Sequence, residues 1–216
     1  MERLICVLIG YAFGLFQTGY LVGKMYHTDI RKHGSGNAGT TNALRTFGKK
    51  AGALTLLGDM LKCIAAVLIT AAIFRNRCPE MLTLLKIYAA AGCVLGHNFP
   101  FYLGFKGGKG IAASAGMLIA VDVRVFWICF VIFFALFFTL HYVSVCSMSS
   151  YVTALICFII FGQMGHYGMT QAYLTEMYIV VALLAVMAFW RHRENIRRLA
   201  AGTENKVFLS SKKKRE

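Results

Sequence analysis

The chain has 216 residues, 58% apolar and only 15% charged, with a mean hydropathy of +0.62; a water-soluble globule would be short of polar surface, so a bilayer is the natural solvent. Its net charge of +14 does not mark a nucleic-acid partner, because Lys and Arg gather between apolar runs instead of forming a soluble basic face with interleaved aromatics. At roughly 20 residues per spanning helix, one all-α integral membrane bundle of about seven transmembrane helices fits, with no sizeable extramembrane domain.

The apolar runs fall, in chain order, at 5–23, 51–74, 82–104, 111–121, 125–146, 148–162 and 173–190. The first follows the pair Glu2 and Arg3, contains Gln17 and lacks a small-residue cleavage signature, so it reads as a retained helix. The fourth is too short to cross a core of ~30 Å at ~1.5 Å per residue, unless the Gly and Ser residues near Ser114 extend it inside the bundle; six spans are the alternative. Lys and Arg number six in 24–50, two in 105–110 and nine from Arg191 onward, against Arg3, Arg75, Arg77 and Arg124 on the other side. A basic excess marks cytoplasmic connections, which puts the N-terminus outside and the C-terminus inside. Residues 1–206 then form a single polytopic domain and 207–216 a basic tail with Lys212, Lys213, Lys214 and Arg215, solvated or surface-bound. The seven cysteines, at 6, 63, 78, 93, 129, 146 and 157, form no CxxC pair and read as packing thiols without disulfide or metal.

The same topology places every glycine-rich or strongly polar segment on the cytoplasmic side. The first runs from His33 to Asn42, with Gly34, Gly36 and Gly39 in a GxGxxG pattern and Arg45 shortly after. A membrane helix precedes it, so a dinucleotide fold is excluded. Glycines still let amides approach an anion, Ser, Thr and Asn add donors, and Arg45 supplies a bidentate fork; a flexible hydrophilic loop is the plainer alternative. The second, Gly104-Phe105-Lys106-Gly107-Gly108-Lys109-Gly110, is one residue short of GxxxxGK(S/T) and implies no nucleotide. It suits an oxyanion held by amides and a point charge, or an ordinary positive-inside turn.

Just upstream, His97 and Asn98 interrupt an apolar run, where polar groups are expensive and face the bundle interior; His97 reads as packed or orienting. The third segment begins Arg191-His192-Arg193-Glu194-Asn195 and continues to Gly202-Thr203-Glu204-Asn205. If it extends the last helix, Arg191, Asn195 and Arg198 share one face; a cationic helix end gripping lipid phosphates is the alternative. Asp59 and Lys62 sit at i and i+3, about 14 Å into the second run from Lys50, and pair either structurally or beside a substrate cleft. Ser144 and Ser147 fall at the expected inner end of the fifth helix.

Together, Ser35 to Asn42 with Arg45, Gly96-His97 with Phe105 to Gly110, and His192 to Asn195 with Gly202 to Asn205 resemble the bacterial membrane-bound acyl-phosphate:glycerol-3-phosphate acyltransferase family, which carries three cytoplasmic motifs on a seven-helix bundle. The resemblance covers nearly the whole chain. Relatives often carry a proline near Gln17 and a basic residue where His141 stands. The resemblance implies transfer of an acyl group from acyl phosphate to the 1-hydroxyl of glycerol 3-phosphate, giving lysophosphatidic acid at the bacterial cytoplasmic membrane. It implies no cofactor, metal or acyl-CoA, contact with membrane lipids, and functional coupling to a soluble enzyme that forms acyl phosphate.

On this reading Ser35, Arg45, Lys109, His192, Asn195 and Glu204 form the catalytic set. Gly36, Asn37, Gly39, Thr41, Asn42, Gly107, Gly108, Gly110 and Ser144 bind substrate. Transfer is direct, without an acyl-enzyme, and His192 or the departing phosphate removes the hydroxyl proton. A transporter of a phosphorylated solute and a basic scaffold for acidic partners are the competing classes; the transporter calls for a polar site near the midplane.

Overall fold

A computed structural model describes residues 1–208; the Lys212 to Arg215 run of the tail lies outside the described residues. Among the described residues the chain is all-helical: α1 (Glu2–Gly14), α2 (Thr18–Met25), α3 (Thr40–Phe47), α4 (Lys49–Phe74), α5 (Leu82–Asn98), α6 (Ile111–Val121), α7 (Val123–Leu140), α8 (Val143–Gln163), α9 (Gln171–Arg191) and α10 (Arg193–Ala200). Six segments are long and apolar enough to cross a membrane, α1 and α2 counting as one, while α6 is a shorter apolar helix.

Small residues set the centre of the bundle. Gly14 on α1 meets Gly96 on α5, Gly92 meets the Val7 backbone, and a Cβ on Gly10 would lie 1.9 Å from the Ala89 carbonyl oxygen. In lipid, where burial gives helices no hydrophobic incentive to associate, such four-residue spacing of small residues lets backbones approach and gain packing contacts. The first apolar run is not one helix. It breaks at Leu15–Gln17, where the buried Gln17 amide donates to the carbonyls of Gly14 (3.0 Å), Gly96 (3.3 Å) and His97 (3.1 Å). Freed carbonyls are costly inside a bilayer, and Lys62 Nζ satisfies another by donating to Phe16 O at 2.7 Å.

Helix α6 has 11 residues against 18 in α7, a shortfall of about 10 Å at ~1.5 Å per residue. In the loop before it, Gly107, Gly108 and Gly110 are buried while Gly104, Phe105 and Lys106 are exposed. At the other end of α6, Asp122 caps α7, accepting from the Arg124 amide at 3.0 Å, and Tyr167 OH donates to the same carboxylate at 3.1 Å.

Two boundaries differ from expectation. The run at 125–146 ends as a helix at Leu140, because His141 turns left-handed (φ 63), so Ser144 and Ser147 belong to the start of α8. The third segment does not continue α9, which stops at Arg191; the helix is interrupted at His192 and α10 follows from Arg193. All seven cysteines are free thiols.

Candidate active site

The first loop is built around one side chain. Asn42 Nδ2 donates to the carbonyls of Ile30 (3.2 Å), His33 (2.9 Å) and Asn37 (2.9 Å), while its Oδ1 accepts from the Ser35 amide at 2.9 Å. The structure thus gives Asn42 the work of shaping the loop, with no donor left for a substrate. Gly36 N–H is likewise committed, to His33 O at 3.0 Å. Beyond it α3 starts at Gly39 with no side-chain cap. Among the described residues the amides of Gly39, Thr40 and Thr41 have no acceptor, and Thr40 Oγ1 is buried without a partner. An uncapped helix start carries partial positive charge and suits an anion. Arg45, one turn along, is exposed and makes no hydrogen bond among the described residues.

The second loop works differently from its glycine pattern. Gly107 N–H donates to Asn98 O (3.2 Å) and Gly108 N–H to His97 O (3.1 Å), so neither amide is available to an oxyanion. Their carbonyls accept from Arg191 Nη2 at 3.0 and 2.7 Å, and the guanidinium lies over Phe99 at 5.5 Å. Gly108 packs on the His97 ring, with room for no Cβ. The ring is seated in turn: Lys62 Nζ donates to His97 Nδ1 at 2.8 Å and lies 2.8 Å from Asp59 Oδ1. Among the described residues the amides without acceptors are those of Lys109, Gly110 and the first turn of α6. Gly110, left-handed at φ 82, opens a second uncapped helix start.

The third segment closes a polar chain across the cavity. Lys109 Nζ donates to Asn195 Oδ1; Asn195 Nδ2 donates to Glu204 Oε1 at 2.6 Å, Ser144 Oγ to the same oxygen at 3.0 Å, and Arg198 Nε to Glu204 Oε2 at 2.7 Å. Burial acts to raise Glu204, but hydrogen bonds from Asn195, Arg198 and Ser144 outweigh it and hold the carboxyl below its ordinary value. Burial, helped by the positive charge of Arg198, lowers Lys109 to about 8. Burial, then the Lys109 charge, pushes His192 down to about 4. The imidazole is therefore neutral near pH 7. Its Nδ1 donates to Ala188 O at 2.8 Å, which leaves Nε2 as an acceptor.

Residues after Gly202 strap back over α8. Val207 N–H donates to His141 O at 3.0 Å, and the Phe208 ring lies tilted against the His141 ring, centroids 4.7 Å apart. Val207 and Phe208, assigned to a tail by charge, are attached to the bundle.

These groups line one cavity of about 1540 Å³. Every residue expected at the site reaches it except Gly108, which lies beneath the loop. Among the described residues that line it, eight Lys or Arg stand against four carboxylates, a balance that favours anions. Sequence reading missed the other half. An apolar arm extends between α4, α6, α7 and α8, walled by Phe126, Phe130, Phe133, Phe134 and Phe137 and by Leu56, Leu57, Met117, Leu118 and Ala154. The signal was the recurrence of Phe at 126, 130 and 134, one helical face.

The chain matches the family model for glycerol-3-phosphate acyltransferase over residues 4–202. The glycerol-3-phosphate acyltransferase of Rubrobacter xylanophilus is 41% identical over 206 residues, covering 95% of this chain and 96% of its own. That of Clostridioides difficile is also 41% identical over 206 residues, covering 94% and 95%. Crystal structures of PlsY (YgiH), an integral membrane glycerol 3-phosphate acyltransferase, superpose with TM-scores of 0.83 in the glycerol 3-phosphate form and 0.81 in the lysophosphatidic acid form, at 30% identity over 96% of each chain. Family match, close relatives and shared architecture agree: the chain is an integral membrane protein that belongs to the glycerol-3-phosphate acyltransferase family.

Proposed function

We propose that the protein transfers the acyl group of an acyl phosphate to the 1-hydroxyl of glycerol 3-phosphate, forming lysophosphatidic acid and inorganic phosphate at the cytoplasmic face of the bacterial membrane. The observation that carries this reading is a single cavity joining two uncapped helix starts and a cationic lining to an apolar arm. Two phosphates and one hydrocarbon chain fit that division. The polar lining comes mainly from loops at one end of the bundle, which favours an interfacial enzyme over a carrier. The Lys and Arg excess at that end argues for the cytoplasm, where a soluble enzyme forming acyl phosphate would supply the donor.

Arg45, Ser35 and the open amides of α3 hold one phosphate; Lys109 and the open start of α6 hold the other. Bringing both substrates together is itself a large part of catalysis. The hydroxyl oxygen attacks the acyl carbonyl carbon, and the tetrahedral oxyanion is stabilised by preorganised cations and amides. The bond from that carbon to the phosphate oxygen then breaks, and phosphate leaves with the electron pair. His192 Nε2 accepts the hydroxyl hydrogen bond and aims it. With its pKa held at about 4, His192 is a weaker base than the departing inorganic phosphate, which takes the proton. Asn195 and Glu204 fix Lys109 and Arg198, and with Ser144 they position glycerol 3-phosphate.

The test is purified protein with labelled glycerol 3-phosphate and either acyl phosphate or acyl-CoA. Product from acyl phosphate alone is expected. Product from neither donor, or equally from both, defeats the assignment.

A further inference from the structure

The phenylalanines of α7 form a ladder, with ring centroids 5.8 Å apart from Phe126 to Phe130 and 4.6 Å from Phe130 to Phe134. From Phe137 down to Phe126 the ladder walls the apolar arm over about 16 Å, at ~1.5 Å rise per residue. One side of it is exposed, at Leu57 (54%) and, one turn above Phe126, at Phe130 (40%), while Phe137 at its top is buried at 5%. Its foot is closed: Leu118 and Ala154 are 6% and 3% exposed, and Phe126 lies half-buried there, edge-on to Trp127.

We propose that Phe126 on α7, with Ala154 on α8, sets the longest acyl chain that the enzyme transfers efficiently. The proposal rests on the reading that the arm holds the donor's acyl chain. Length cannot be selected there by burial, because a chain drawn from the bilayer leaves surroundings as apolar as those it meets. Selection is steric. A chain whose end reaches the foot lies straight, while a longer one must bend or leave through the exposed side at Leu57 and Phe130. Carbons joined by bonds of about 1.5 Å advance roughly 1.25 Å each along an extended chain, so the arm below Phe137 takes about 13 carbons.

The experiment measures kcat/KM over saturated acyl phosphates of about 4 to 20 carbons, for the full chain in detergent, with three variants. Phe126→Ala is expected to raise the longest donors relative to the wild-type optimum by about tenfold, and Ala154→Leu to lower them by about tenfold. Because the two shifts run in opposite directions along the length series, a general loss of folding does not imitate them. Both variants changing all lengths in parallel would overturn the proposal while leaving the donor reading intact. Ala115→Phe, higher in the arm about 6 Å below Ile111, separates the two. It is expected to depress every long donor and spare the shortest. If it leaves all donors unchanged, the arm does not hold the acyl chain, and both the reading and the proposal fall.

Discussion

Replacing Gly108 by alanine asks whether the second loop is seated firmly enough to aim Lys109. The added Cβ would lie 2.0 Å from His97 Nε2 and 2.8 Å from Cε1, where ordinary contact begins at 3.4 Å. The ring has nowhere to retreat: His97 is 2% exposed, and its Nδ1 is held 2.8 Å from Lys62 Nζ. The loop must therefore move by about 1 Å, and Lys109 moves with it. A misplacement of that size at reacting groups costs about a hundredfold in rate, or about 2.7 kcal/mol of transition-state stabilisation. The assay is kcat/KM for glycerol 3-phosphate, with thermal unfolding followed in parallel. The double variant His97→Ala/Gly108→Ala removes the clash at its source, so the two losses should be non-additive by at least about 1.5 kcal/mol. Activity of Gly108→Ala within about twofold of wild type, or additive losses in the cycle, would refute the reasoning.

Three further outcomes follow from the same geometry. Lys109 acts as a cation, and burial lowers it to about 8; its charge is therefore complete at low pH and lost as pH rises through that value. The kcat/KM profile should break downward near pH 8, and a profile flat to about pH 10, the ordinary range of lysine, would contradict the role. Arg191→Lys gives up the paired donation to the Gly107 and Gly108 carbonyls; a loss of about tenfold in kcat/KM is expected, with about 1 kcal/mol in stability by thermal unfolding. Truncation after Phe208 should leave transfer intact. Truncation after Gly202 removes Glu204, frees Arg198 and Asn195, and should lower activity by at least about tenfold.

Composition and charge spacing suffice to read a helical membrane bundle and the convergence of three polar segments, because both follow from the bilayer's intolerance of unpaired polar groups. The breaks at Leu15–Gln17, His141 and His192 are illegible for a physical reason. No proline marks them, the Gly14 beside the first belongs to the close packing of α1 on α5, and the Gln17 break is held by tertiary hydrogen bonds to Gly96 and His97, far away in sequence. Glycine spacing at 107 and 108 says that backbone comes close, but not which way its amides point; here they face inward to Asn98 and His97. Asn42 looks like a donor for substrate until its three carbonyl partners are seen. The phenylalanine face of α7 is hidden because the helix is apolar all round, so periodicity has little polar contrast to reveal it.

The most direct test of acyl transfer in this cavity is a quenched single turnover with protein in excess over acyl phosphate. Without glycerol 3-phosphate, no acylated protein should accumulate. On its addition, lysophosphatidic acid and inorganic phosphate should appear together, at one rate and in equal amounts. An acyl group captured on the protein, or phosphate released ahead of product, would contradict direct transfer between two substrates held side by side.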